Sequence, residues 1–361
     1  MPLSTHISWR SAVNGGVKLL IVGLLAWALY SELQGEVEIQ TLQRLLMRSW
    51  QGHRGHFLIL AIVLMPLNWA MEVEKWRVFL RPFWRIGRRL AWSAVFAGVA
   101  LSLFTPNRIG EYGGRVLAVP ARYNWAAVLA TAAGSLAQLI ALLGGGLLGA
   151  FFYLRQRQLL PELWESMGWA VLLCTLLVLA LFLYLPRLAV VLRRLPLPKK
   201  WWAPIAQLQH YRRWQLLQGL GWAVCRYSLY SFQFYLLLRF FGLNLPVGVA
   251  LGGIATLFLV QLFLPLPPVA ALLARGELAL LIWSPFAPEK LSIVAATFSL
   301  FIINLLLPAL LGAVFIVKIN VLKSLGYDQE AKRYDSGPDA SNGIYSPSTE
   351  SMENNKDSTS A

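Results

Sequence analysis

The sequence predicts an all-α polytopic membrane protein of about six transmembrane helices plus two re-entrant hairpins, in a layout that suggests an inverted repeat. Three observations carry this. The chain of 361 residues is 57% hydrophobic and 14% charged, with a mean hydropathy of +0.56, a membrane composition rather than that of a soluble core. Its apolar residues gather into runs, several of them near the roughly 20 helical residues that a bilayer crossing needs. Its positive surplus, +15 at neutral pH, sits between those runs. There the positive-inside bias and anionic headgroups account for it, and no nucleic-acid partner is expected.

The first run, Gly15 to Tyr30, follows Arg10 and includes Lys18, as in a signal peptide. Its small-x-small pattern, Ala26-Trp27-Ala28, lies inside the run rather than after it, so the run reads as a retained span. Ser31 to His56 is polar and mixed in charge, and Thr41 to Trp50 within it reads as a short interfacial amphipathic stretch. The second span, about Phe57 to Met71, carries Asn68 and leads through Glu72 and Glu74 into a basic stretch, Lys75 to Arg89. Trp76, Phe83 and Trp84 interleave those charges, and the pattern reads as an amphipathic helix on the cytoplasmic surface.

Trp92 to Phe104 holds only about 13 residues, or roughly 20 Å of helix, too little for a crossing. Trp125 to Tyr153 is a full span whose Gly134, Gly144, Gly145, Gly146 and Gly149 suit close helix packing in lipid. After a short polar loop, Gly168 to Leu185 crosses again. Arg187 to Trp214 is the most basic loop. Leu216 to Phe241 spans next and contains Arg226, Gln233 and Arg239. Val247 to Leu264, with Gln261, is broken by Pro265-Leu266-Pro267-Pro268, and Arg275-Gly276-Glu277 follows within another apolar run. Leu291 to Val317, with Asn304 and Pro308, is the last span. Residues 1–322 thus form the membrane domain. The tail, 323–361, is rich in Ser, Asn, Asp, Gly and Pro and is expected to be disordered.

Charge bias sets the topology. If 75–89 and 187–213 both face the cytoplasm, an even number of crossings separates them, and the short 92–104 segment is the one that turns back near Pro106. Non-helical backbone at membrane depth is tolerated only where protein or a polar cavity surrounds it. Counting onward, 247–285 dips in from the opposite face, and the last span returns the tail to the cytoplasm. Two hairpins entering from opposite faces are the pattern of an inverted repeat.

The turn of the first hairpin, Thr105 to Arg115, concentrates the chemistry. Arg108, Glu111 and Arg115 fall at i, i+3 and i+7, which puts Glu111 within reach of both arginines on one helix face. Ionisable groups at membrane depth are expensive, so they pair and mark a pathway or site. Two readings stand. The guanidinium forks match the oxygens of a headgroup phosphate, or the charges form a buried ion pair that holds the hairpin. The second hairpin offers Arg275 and Glu277, and Glu111 and Glu277 are either a carboxylate pair across the repeat or separately charge-paired. Arg226 pairs with a carboxylate or a backbone carbonyl, or contacts substrate. Glu72 and Lys75, at a span end, read by default as interfacial anchors. With Asn68, Gln261 and Asn304 they are the candidate supporting residues.

Glu111 or Glu277 alone could serve catalysis or transport as readily as structure, but the sequence offers no nucleophile or metal set beside them. His53 and His56 are close, but no carboxylate or cysteine joins them at ligand spacing, so no metal is expected. There is no Gly-x-Ser-x-Gly elbow, P-loop or dinucleotide fingerprint. Cys174 and Cys225 lie inside apolar segments and are expected to be reduced, packing cysteines.

Pro106-Asn107-Arg108-Ile109-Gly110-Glu111 with Arg115 resembles the P-x-R-x-G-E-x-x-x-R pattern of the lysylphosphatidylglycerol synthase transmembrane (flippase-like) family. Asn68-Trp69 through Glu72, Lys75 and Trp76 is similar to the family as well, and so is Pro265 to Glu277, although Val269-Ala270-Ala271 stands where glycines are usual. The resemblance covers about residues 10 to 322. It implies a polytopic domain that moves lipids between leaflets, in some members fused to an aminoacyl-transferase domain. Only a short polar tail follows residue 322, so lysyl transfer is not carried over.

The expectation is therefore a translocase, not an enzyme, for a phospholipid or lipid-linked anionic headgroup. Arg108, Glu111, Arg115, Arg275 and Glu277 would bind the headgroup in one polar cavity, without a cofactor. The alternatives are a membrane scaffold or assembly factor in envelope biogenesis and an integral membrane lipid-modifying enzyme. Membrane lipids, anionic ones foremost, are the expected partners, with a second copy of the chain or a separate lipid-modifying enzyme as candidate protein partners. The expected location is the inner (cytoplasmic) cell membrane, with basic loops and tail cytoplasmic.

Overall fold

The computed structural model describes residues 39–103, 105, 108–158, 164–192, 208–264, 270–286 and 289–318. The expected first span, the proline break at 265–268 and the tail lie outside these residues. What is described is helical, with no strand. Four stretches are long and apolar enough to cross a membrane: Gln43–Leu80, Ala121–Gln156, Ser166–Leu183 and Lys290–Val317. The protein is an all-α polytopic membrane protein.

Helix α1, Ile39–Ser49, leads through a kinked turn, Trp50–Arg54, into α2, Gly55–Leu80. His53, at φ 59°, makes the kink. Leu46, Met47 and Trp50 are exposed on this segment, as a helix lying along an interface requires. The expected amphipathic helix over 75–89 does not form. Instead α2 stays helical to Leu80, a turn follows, and α3 begins at Arg88. Glu74 takes Arg77 at 2.7 Å and Arg88 at 3.2 Å, so the basic residues clamp two helix ends rather than line one helix.

Helix α3, Arg88–Ser102, and α4, Gly110–Leu117, form the first hairpin. Only glycine permits their contact: a Cβ on Gly110 would strike the Leu101 carbonyl, and one on Gly114 would strike the Ala97 carbonyl. Helix α5, Asn124–Gln156, follows, then α6, Trp164–Leu183, and α7, Leu185–Leu192. The second half repeats the plan. Helix α8, Arg213–Phe240, precedes a hairpin of α9, Val247–Gln261, and α10, Ala270–Trp283. The last stretch is α11, Lys290–Phe301, a π-helical segment, Ile302–Leu306, and α12, Leu307–Lys318.

The halves are related in an inverted sense. Along α2 and α8, Phe79 packs on Gly219, Glu72 meets Arg226, Asn68 meets Gln233, and Arg239 lies over Phe57. The partner number rises as the first falls, so the two equivalent helices are antiparallel. Each hairpin leans on the long helix of the other half. Gly312 of α12 sits against the Phe96 carbonyl of α3, while Gly149 and Gly146 of α5 sit against Ala255 and Leu259 of α9. Small residues at both contacts let backbones approach, as packing in lipid favours. One apolar cluster surrounds the first hairpin and a second surrounds α9 and α10. Cys174 and Cys225, expected to pack inside, are both on the protein's exterior, where the helices face lipid. The ends of the helices also sort. Phe83, after α2, meets His210 and Tyr211, before α8, with ring centroids 6.0 and 5.7 Å apart. Burial there pushes the Tyr211 phenol above its ordinary range. The turn after α2 and the described residues just before α8 therefore share one end of the molecule.

Candidate functional site

The first hairpin's charges lead inward to a buried ionic cluster between α2, α4 and α8. Thr105 starts it: its Oγ1 accepts the Gly110 N–H at 2.7 Å and so satisfies the first amide of α4. Arg108 precedes that helix with φ 59°, an uncommon conformation for a side chain this large. It therefore lies off the helix rather than on it, yet the expected pairing holds. Arg108 Nη2 donates to Glu111 Oε1 at 2.8 Å, and Arg115 Nη2 to Glu111 Oε2 at 3.2 Å.

Arg115 also donates to Glu72 Oε1 at 2.8 Å. Glu72 Oε2 then accepts Lys75 Nζ at 2.6 Å and Arg226 Nη1 at 3.3 Å. One carboxylate thus holds three cations from three helices. Glu72 and Lys75 are not interfacial anchors: the helix that carries them runs on to Leu80 and packs on α8, which takes both inside. The side chains of Lys75 and Arg115 are 2% exposed and that of Glu72 is 6% exposed, whereas Arg108 is 41% exposed. The cluster is open at Arg108 and closed at Lys75. Arg226, of the two readings left open, pairs with the carboxylate, and it sits at the middle of the 28-residue α8.

Sequence reasoning missed three contributors. Gln138 Oε1 accepts Lys75 Nζ at 3.1 Å and Arg226 Nη1 at 3.4 Å, and its Nε2 donates to the Ala223 carbonyl at 3.3 Å. A lone glutamine in the glycine-rich span was the available signal. Trp69 and Trp76 carry the other signal, aromatics beside Glu72 in the motif. Arg226 lies over Trp69 at 5.1 Å and Arg115 over Trp76 at 5.5 Å. A ring face attracts a cation without neutralising it. Among the described residues, Nε of Arg108, Arg115 and Arg226 is buried with no hydrogen-bond partner.

The supporting polar residues form a second group. Asn68 Nδ2 donates to Gln233 Oε1 at 3.2 Å and to Asn304 Oδ1 at 2.9 Å, tying α2 and α8 to the π-helical segment. Gln233 Nε2 donates to the Ala61 carbonyl at 2.8 Å.

The second hairpin's charges stand apart. Among the described residues, no ion pair or hydrogen bond joins Arg275 or Glu277 to the cluster. Glu277 lines a surface cavity of about 410 Å³ with Ser284 and Lys290. Arg275 is half-buried, and its Nε and Gln261 Nε2 have no partner among the described residues. The two hairpins thus present two polar places rather than one joined set.

No curated protein and no solved structure matches the chain. Residues 16–312, which hold both hairpins and every residue of the cluster, match the family described as the Lysylphosphatidylglycerol synthase TM region, and the chain belongs to that family.

Proposed function

We propose that this integral membrane protein is a flippase-like translocase for a phospholipid or a lipid-linked anionic headgroup in the inner (cytoplasmic) membrane. The observation that carries the reading is the gradient of access along one ionic chain. Arg108 is half-exposed, Arg115 is buried behind it, and both retain an unused Nε donor among the described residues. Guanidiniums placed this way receive phosphate oxygens at the surface and draw them toward the middle of the helices, while the acyl chains stay in lipid. Glu111 bridges the two arginines when no headgroup is there.

The scaffold reading has one observation on its side: Glu72 and Glu111 already pair all four cations. The two separate in proteoliposomes that carry a fluorescent anionic lipid, with leaflet exchange scored per folded protein. Under the translocase reading, Arg108→Ala abolishes exchange at near-normal abundance, and Arg115→Lys restores only part of what Arg115→Ala loses, since an ammonium lacks the fork. Loss of exchange in strict proportion to loss of folded protein would leave the scaffold reading.

A further inference from the structure

The charge of the cluster is uneven. Lys75, Arg108, Arg115 and Arg226 supply four positive charges, and Glu72 and Glu111 supply two negative ones. The network joining all six is continuous, so it bears a formal surplus of two positive charges. Neighbouring positions do not alter this: Phe104, Pro106 and Asn107 carry no charge. The remaining described partners, Gln138, Trp69 and Trp76, are neutral. A surplus of this size among buried groups is unfavourable until an anion meets it.

We infer that the preferred cargo is a lipid whose headgroup ends in a phosphate monoester rather than a phosphodiester, a substrate class that rests on the translocase reading above. A phosphate monoester carries about 1.5 to 2 negative charges at pH 7 and three acceptor oxygens. A phosphodiester carries one charge and two non-bridging oxygens. Glu111 marks where those oxygens go, because its two oxygens already bridge Arg108 and Arg115 at 2.8 and 3.2 Å. A monoester that joins Glu111 on these two arginines offers its oxygens to their unused guanidinium donors and, with Glu111 still in the network, cancels the surplus. A diester leaves one positive charge unmet. Glu72, which fastens Lys75, Arg115 and Arg226, is a positioning residue in this scheme and touches no cargo.

The test uses the full chain in phosphatidylcholine vesicles at pH 7, with trace acyl-labelled phosphatidic acid or acyl-labelled phosphatidylglycerol, each corrected for protein-free vesicles. The monoester should exchange at least about tenfold faster than the diester, the factor that one added charge-assisted hydrogen bond supplies. Lys75→Gln lowers the surplus to one while leaving Arg108 and Arg115 in place, and should bring the ratio toward unity. A ratio does not depend on how much protein folds. Equal rates in the unaltered protein, or an unchanged ratio in Lys75→Gln, would overturn the monoester preference and leave the translocase reading standing. Exchange of neither lipid would remove the translocase reading itself. Radiolabelled inorganic phosphate supplied to the same vesicles distinguishes the source: its uptake without lipid exchange would overturn a lipid-borne cargo.

Discussion

Glu72 and Glu111 are chemically the same and structurally unlike. Glu72 is enclosed and pairs with three largely buried cations. Glu111 shares Arg108, which is half in solvent. Removing one partner from a buried ionic group costs about 3–5 kcal/mol, because the charges left behind are uncompensated. Glu72→Gln should therefore lower membrane abundance and melting temperature sharply. Glu111→Gln should lower them far less, as followed by detergent-solubilised thermal melts. Comparable losses in both would mean that Glu111 is as structural as Glu72. The pairing of Arg108, Glu111 and Arg115 was legible from spacing alone, since i, i+3 and i+4 relations survive even with Arg108 off the helix. The part played by Glu72 and Lys75 was not legible. It depends on what α8 brings across to α2, and Arg226 is far from them in sequence.

At the scale of helices, a run too short to cross, ended by a proline and followed by glycines, was enough to foresee a hairpin. It was not enough to foresee where 75–89 would break, because the interleaved charges and aromatics read as one helix, whereas Pro82 follows the helix that ends at Leu80 and Gly87 precedes the one that starts at Arg88. The hairpin's tightness comes from two backbones in contact. A methyl at Gly114 would strike the Ala97 carbonyl, whereas at Gly113 its nearest neighbour would be the Leu101 side chain at 3.9 Å. Overpacking of this kind costs about 1–3 kcal/mol or more when backbone must move. Gly114→Ala should lower the melting temperature and leaflet exchange together, while Gly113→Ala, one position away on the same helix, should change neither. Equal tolerance of both would show that α3 and α4 are not held in contact.

For the molecule as a whole, composition foretold the helical membrane class, and the premise that 75–89 and 187–213 share a side agrees with the Phe83 contacts to His210 and Tyr211. At the other end the Arg54 guanidinium abuts Gly242. Single cysteines introduced into a cysteine-free background test the orientation. Arg85→Cys and Arg213→Cys should be shielded from an impermeant thiol reagent in intact cells, and Gln51→Cys and Asn244→Cys should react. Labelling of Arg85→Cys would invert the assignment. The joined cavity expected of the two hairpins was not legible, because sequence order says nothing about the distance between α4 and α10. The crossed support of the hairpins has a further consequence, and it concerns synthesis. The first hairpin is complete once Leu117 has been made, but the helix it rests on arrives only with Gly312. At translation speeds of about 5–20 residues per second, that interval lasts roughly 10–40 seconds. When that interval opens, Glu72 is the carboxylate outside the hairpin already made to meet Arg115, and Arg226 joins it only once α8 exists, so the carboxylate that holds the finished cluster is also the one that must shelter it early.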